Sequence, residues 1–225
     1  MELRPSATVF WSGQALYKYL PQHDQVFPRI AREAGDCQFV FIEFAKSRHI
    51  TDQFRTRLNR SFADYGLKAE DYCVILHQLE QDMFIAAVGQ SDVILDSIGW
   101  SGGKSTLDCL SHDIPFVTLA GPLMRGRHTA AILERMDIRE TIAGSLDDYV
   151  EIAAGLARNP SHRAALSARI RENKPRVFND RECIDGLEDF LVKAVHREQA
   201  ANTLGAGRRA PSHRPDPGSA LLSPA

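Results

Sequence analysis

A chain of 225 residues with 44% hydrophobic and 25% charged residues has enough apolar material for one globular domain with or without a tail. A formal net charge of -2 argues against a general nucleic-acid or anionic-membrane binder, and no apolar stretch reaches the roughly 20 residues that would span a bilayer. The first eight residues lack the apolar core of a secretory signal, and the four cysteines are widely spaced with no Cys-x-x-Cys pair. Reduced thiols in a cytoplasmic protein are therefore expected, and the eight histidines show no metal-ligand spacing, so neither a metal nor a cofactor is predicted.

In chain order, a strand over 7–11 leads into Ser12-Gly13-Gln14, and a helix follows Pro21 with Val26, Phe27, Ile30 and Ala31 on one face. Residues 38–44 read as a buried aromatic strand. Residues 51–66 read as an amphipathic helix, with Phe54, Leu58, Phe62 and Tyr65 three or four apart and Gly66 as the stop. A strand over 72–76, a helix over 81–89 and a strand over 92–96 come next. They are followed by a helix over 105–111, a strand over 115–119 and a helix over 127–136. Helices over 146–157 and 161–172, a break at Lys174-Pro175 and a last helix over about 180–196 complete the predicted domain, residues 1–198. Residues 199–225 are rich in Gly, Pro and Arg with little to bury, which predicts a disordered tail.

Strands alternating with helices at this spacing predict an α/β fold, a Rossmann-like parallel sheet with helices on both faces. Ligands of such sheets bind beyond the carboxyl ends of the strands, so the loops after Trp11, Leu76, Asp96 and Leu119 converge on one crevice.

The loop after Asp96 carries the strongest signal. It reads Ser-Ile-Gly-Trp-Ser-Gly-Gly-Lys-Ser-Thr-Leu-Asp to Asp108, which is strand, glycine loop and helix start. Backbone N–H groups and a helix dipole there suit a phosphate, drawing Gly102, Gly103, Lys104, Ser105 and Thr106 into the candidate site. A P-loop is excluded by spacing, because its leading glycine would have to stand at Ile98, and no dinucleotide Gly-x-Gly-x-x-Gly is present.

Around this loop, Lys18, close after Gln14, can reach phosphate oxygens and neutralise charge on a leaving diphosphate. Asp108 can accept from ribose hydroxyls or simply complement the helix dipole. Arg127 and His128 stand where a helix begins, an unfavourable place for cations unless an anion is near. His77, Gln78, Leu79 and Gln81 can offer contacts to a base, although by residue type they read equally as a strand-to-helix connection. His112-Asp113 resembles part of a catalytic triad but lacks a Gly-x-Ser-x-Gly elbow, which argues against a hydrolase.

One series of motifs ties these residues together. Gln14-x-Leu16-Tyr17-Lys18, Ser91-Asp92-Val93-Ile94-Leu95-Asp96, Gly102-Gly103-x-Ser105-Thr106-x-Asp108 and the run from Pro115 to Gly121 resemble the catalytic half of the O-GlcNAc transferase family. The closest style is that of bacterial members with tetratricopeptide repeats, and the likeness runs in order from about residue 9 to about 191. It implies the C-terminal, donor-binding half of a GT-B glycosyltransferase. It also implies a UDP-sugar donor, UDP-GlcNAc, and metal-independent transfer to Ser or Thr hydroxyls of a protein acceptor.

By the same resemblance Lys18 is the catalytic lysine on the diphosphate, Gly102 to Thr106 hold the phosphates, Asp108 holds the ribose, and Arg127 aligns with a family arginine. The segment from His77 to Phe84 falls where the family grips uracil, with different residues. Lys104 stands where Thr or Asn is usual. Because the chain starts at the first strand of such a half, an N-terminal GT-B half or repeat domain is an expected partner. The alternative is a nucleotide-binding module without transferase activity.

Overall fold

The computed structural model describes residues 3–206. They form, in order, β1 (Thr8–Trp11), α1 (Val26–Ala34), β2 (Cys37–Ile42), α2 (Arg48–Ala63), β3 (Cys73–Leu76), α3 (Gln81–Val88), β4 (Val93–Leu95), α4 (Lys104–Cys109), β5 (Phe116–Leu119), α5 (His128–Arg135), β6 (Ile142–Ala143), α6 (Leu146–Arg158), α7 (Pro160–Asn173), α8 (Pro175–Phe178) and α9 (Glu182–Ala206). Contacts divide the chain into two units, with the division after Asn179. The first holds the sheet and α1 to α8, and the second holds α9.

The six strands are all parallel, in the order β3-β2-β1-β4-β5-β6. The predicted α/β class and its parallel sheet are therefore present. Strand order reverses at β1, so the crevice beyond β1 and β4 is the switch point at which such sheets bind ligands.

Side-chain alternation explains how both faces are covered. Phe10 of β1 sits in register with Phe39 of β2, and the two rings stack 5.2 Å apart. Phe27 from α1 meets Phe39 and Phe41 edge-on at 5.5 and 5.1 Å, and Phe54 from α2 meets Phe41 at 5.1 Å. The neighbouring residue in β1, Trp11, points to the opposite face, where its indole meets Phe84 of α3 at 5.4 Å. One strand thus anchors helices on each side of the sheet. Cys37 and Cys109 are buried with this core, and burial pushes both thiols up to about 12.

Several elements differ from expectation, among them the short helix α8, which follows directly on the predicted break at Lys174-Pro175. The two-residue strand β6 was not predicted; it is too short to show a period and exists because Thr118 and Leu119 of β5 offer it a ladder. Helix α2 starts three residues earlier, at Arg48, behind an extended Ser47. Helix α9 runs on to Ala206, so the expected boundary at 198 falls inside it. The rest of the predicted tail, 207–225, lies outside the described residues. Among the described residues no helix is long and apolar enough to cross a membrane, and no cluster of His, Cys, Asp or Glu is arranged to hold a metal ion.

Phe39 is fully buried at the centre of the aromatic cluster. Phe39→Ala should therefore lower unfolding free energy by about 3–5 kcal/mol in urea titration, through lost burial and the cavity it leaves.

Candidate functional site

The site is built on a buried carboxylate. Asp96, just past β4, is 6% exposed. Its Oδ2 accepts from Ser101 Oγ at 2.6 Å and from Thr118 Oγ1 at 2.7 Å, and its Oδ1 accepts from the Gly102 N–H at 2.8 Å. Its own backbone carbonyl accepts from the Tyr149 hydroxyl of α6 at 2.9 Å. Burial pushes the Asp96 carboxyl up, and the hydrogen bonds from Ser101, Gly102 and Thr118 pull it back.

A second layer continues outward. Ser101 Oγ also accepts from the Thr129 N–H of α5 at 2.9 Å, and the Thr106 and Thr129 hydroxyls share a hydrogen bond of 2.9 Å. The loop after β4 is thereby tied to β5, α4, α5 and α6 at once.

On that scaffold several predicted residues meet. Gln14 Nε2 donates to Ser105 Oγ at 2.5 Å, and Lys18 Nζ donates to Gln14 Oε1 at 3.0 Å. The loop after β1 and the start of α4 are thus one surface. Gly102 must be glycine here, since a Cβ would come within 2.7 Å of Gln14 Nε2 and press on the Thr106 hydroxyl. A Cβ on Gly103 would lie 3.7 Å from His128 Nδ1, an ordinary contact, which places His128 beside the loop. The first-turn N–H groups of Lys104 and Ser105 have no intrahelical acceptor, as at any helix start, and the dipole there favours an anion.

Lys18 is half-buried, and desolvation lowers its ammonium below the ordinary lysine range, with the Asp96 charge pulling it back up. A lysine kept partly out of water forms stronger contacts to an incoming phosphate than one on an open surface.

The remaining predicted residues sort differently. Asp108 Oδ2 accepts from Lys104 Nζ at 2.7 Å and from Gln81 Nε2 at 3.1 Å, which joins α4 to the start of α3. Leu79 packs against the hydrophobic core. His77 is turned to Glu43, 2.9 Å away at the end of β2, and this contact holds the Glu43 carboxyl below its usual range. Arg127 is exposed at the start of α5, while Arg125 places its guanidinium 5.5 Å from the Trp100 ring.

Asp96, Ser101, Thr118, Thr129 and Tyr149 were not singled out from sequence. The available signal was an acidic residue directly after an all-apolar strand and five residues before a serine. That signal does not reveal partners 22 and 53 residues away.

No protein-family model matches the chain. Among curated proteins it is 25% identical over 193 residues to a probable UDP-N-acetylglucosamine–peptide N-acetylglucosaminyltransferase SPINDLY of Hordeum vulgare, covering 84% of this chain and 20% of that protein. The chain is homologous to the SPINDLY transferases. Its structure superposes on an O-GlcNAc transferase mutant of Thermobaculum terrenum with a TM-score of 0.72 at 24% identity, covering 84% of this chain and 36% of that one. A UDP-forming trehalose-phosphate synthase of Burkholderia vietnamiensis gives 0.56 at 17%, covering 85% and 46%. The six-stranded parallel sheet and its helices are thus those of GT-B glycosyltransferases. The chain spans about a fifth of the length of its curated SPINDLY relative.

Asp96 supplies a direct test of this scaffold. Asp96→Ala strands the Gly102 N–H and two hydroxyls, and should cost about 3 kcal/mol in chemical denaturation. Asp96→Asn should cost distinctly less, because its carbonyl can face Gly102 while the Ser101 and Thr118 hydroxyls reverse to accept from the amide. Equal losses would disprove this account of the loop.

Proposed function

We propose that the chain is the C-terminal, donor-binding half of a GT-B glycosyltransferase, taking a UDP-sugar, UDP-GlcNAc, for transfer to Ser or Thr hydroxyls of a protein. The observation that carries this reading is the junction of Lys18, Gln14 and Ser105 at the switch point of the sheet. It is supported by homology to proteins whose names specify UDP-N-acetylglucosamine as donor and peptide as acceptor.

In this reading the diphosphate lies over Gly102 to Thr106, held by first-turn N–H groups, the Ser105 hydroxyl and His128, with Arg127 at the rim. Lys18 leaves Gln14 and donates to the distal phosphate, where negative charge builds as the bond from sugar to phosphate breaks. Asp108 releases Lys104 or Gln81 and accepts from a ribose hydroxyl. Gln81 and the backbone near Leu79 border the base. The chemistry asks for no metal, because the cations and helix-start dipole neutralise the leaving group. An N-terminal half supplies the acceptor side of the cleft, and the protein acts in the cytoplasm.

Calorimetric titration of the chain with UDP tests the reading. Wild type should bind, and Lys18→Ala should weaken UDP about tenfold or more, the scale of a lost charge-assisted hydrogen bond. An unchanged Lys18→Ala removes the lysine from the site, and preference for ATP over UDP overturns the donor assignment. UDP binding with no sugar transfer, even beside a matching N-terminal half, would favour the non-catalytic module.

The lowered Lys18 ammonium adds a pH signature. Lysine helps only while protonated, so its contribution is full at neutral pH and fades at a lower alkaline pH than an ordinary lysine would. Lys18→Arg stays charged and should lack this alkaline loss when UDP affinity is followed against pH.

A further inference from the structure

We propose that Trp100 is the sugar-facing wall of the donor site, stacking against the hexose of a nucleoside diphosphate sugar. The proposal rests on the donor-site reading above and names the residue that selects what hangs from the distal phosphate.

The chain has two tryptophans. Trp11 is 1% exposed in the core, whereas Trp100 is 39% exposed at the mouth of the crevice. A large aromatic left facing solvent beside a charged site marks a contact surface more than a packing residue.

Its backbone is held in place on both sides. Ser97 Oγ donates to the Trp100 carbonyl at 2.6 Å, and the Ser101 N–H donates to the Arg125 carbonyl at 2.7 Å. Gly99, with φ of +86°, makes the turn, and a Cβ there would lie 2.8 Å from a Leu20 methyl. The buried Asp96 network fixes the next residues, Ser101 and Gly102. The loop therefore spends several specific interactions to present one exposed ring.

The surroundings of that ring suit a sugar. Lys18 Nζ lies 5.9 Å from its centroid, Arg125 Cζ lies 5.5 Å away, and the Tyr17 ring meets it edge-on at 6.1 Å. A phosphate oxygen held by Lys18 sits about 2.8 Å from Nζ. With that phosphate on the ring side of Lys18, the hexose bonded to it lies against the indole. A hexose offers an apolar C–H face to an aromatic ring and a rim of hydroxyls to donors, here Arg125 and Tyr17.

The order of contacts also separates this corner from the nucleoside. Gln81, Asp108 and Lys104 form one end of the site, Ser105, Gln14 and Lys18 the middle, and Trp100 with Arg125 the other end. A nucleobase could stack on an exposed indole equally well, but the base end lies with Gln81.

Calorimetric titration of the 225-residue chain with UDP, UDP-GlcNAc and UDP-glucose separates the cases. Trp100→Ala should weaken at least one UDP-sugar about fivefold, the scale of an aromatic contact, while leaving UDP unchanged. Trp100→Phe should keep most of the sugar increment, with an unchanged melting temperature confirming the fold. In wild type, emission from Trp100 should respond to that UDP-sugar more than to UDP, and Trp100→Phe should abolish the difference. Equal weakening of UDP and UDP-sugars would make Trp100 a nucleotide contact and overturn the proposal. So would no weakening of either. If wild type bound UDP but Trp100→Ala changed nothing, only this assignment would fall. Failure of wild type to bind UDP would remove the donor site itself.

Discussion

The site depends on one carboxylate held out of water at the end of a central strand. An unpaired buried charge is severely unfavourable, so Asp96 persists only because donors arrive from its own loop and from β5. Those donors are then not free to move. Ser101 carries the constraint on to α5, Thr129 carries it to Thr106 in α4, and the Asp96 carbonyl receives Tyr149 from α6. The charge thereby turns a glycine-rich loop, otherwise a flexible segment, into a fixed ledge facing the crevice.

The cations arranged around that ledge are of two kinds. Lys18 is partly withdrawn from water and leans on a neutral amide, an arrangement that an arriving anion improves. Lys104 is open to solvent and already engaged with Asp108 one turn along α4, so its charge is shared before any ligand arrives. Beyond β3, Leu79 packs against the core, His77 pairs with Glu43, and Gln81 at the start of α3 reaches across to α4.

Much of the fold was legible in the sequence because its periods are clear. Apolar runs such as Val93-Ile94-Leu95 and the three-and-four spacing of Phe54, Leu58 and Phe62 report burial on two faces and on one. The strand β6 was missed because two residues carry no period, and the extent of α9 was missed because its last turns hold Gly and polar residues that read as tail. Lys18, Gln14, Gly102 and Ser105, which the structure brings together, were picked out by residue type and by their place after strands. Arg127 was picked out by its place before α5, whereas the proximity of Arg125 to Trp100 is set by tertiary packing that local spacing does not encode.

The sequence by itself determined the alternation of strands and helices, the glycine-rich loop after β4 and the set of polar residues able to meet an anion, since these follow from local spacing and chemistry. Only the tertiary structure decided that Asp96 is the anchor and that Gln14 bridges Lys18 to Ser105. It alone also showed that Lys18 and Arg125 both lie near the Trp100 ring. The physical reason is distance along the chain: Gln14 and Ser105 are 91 residues apart, and a parallel sheet brings them together through register that no local pattern encodes.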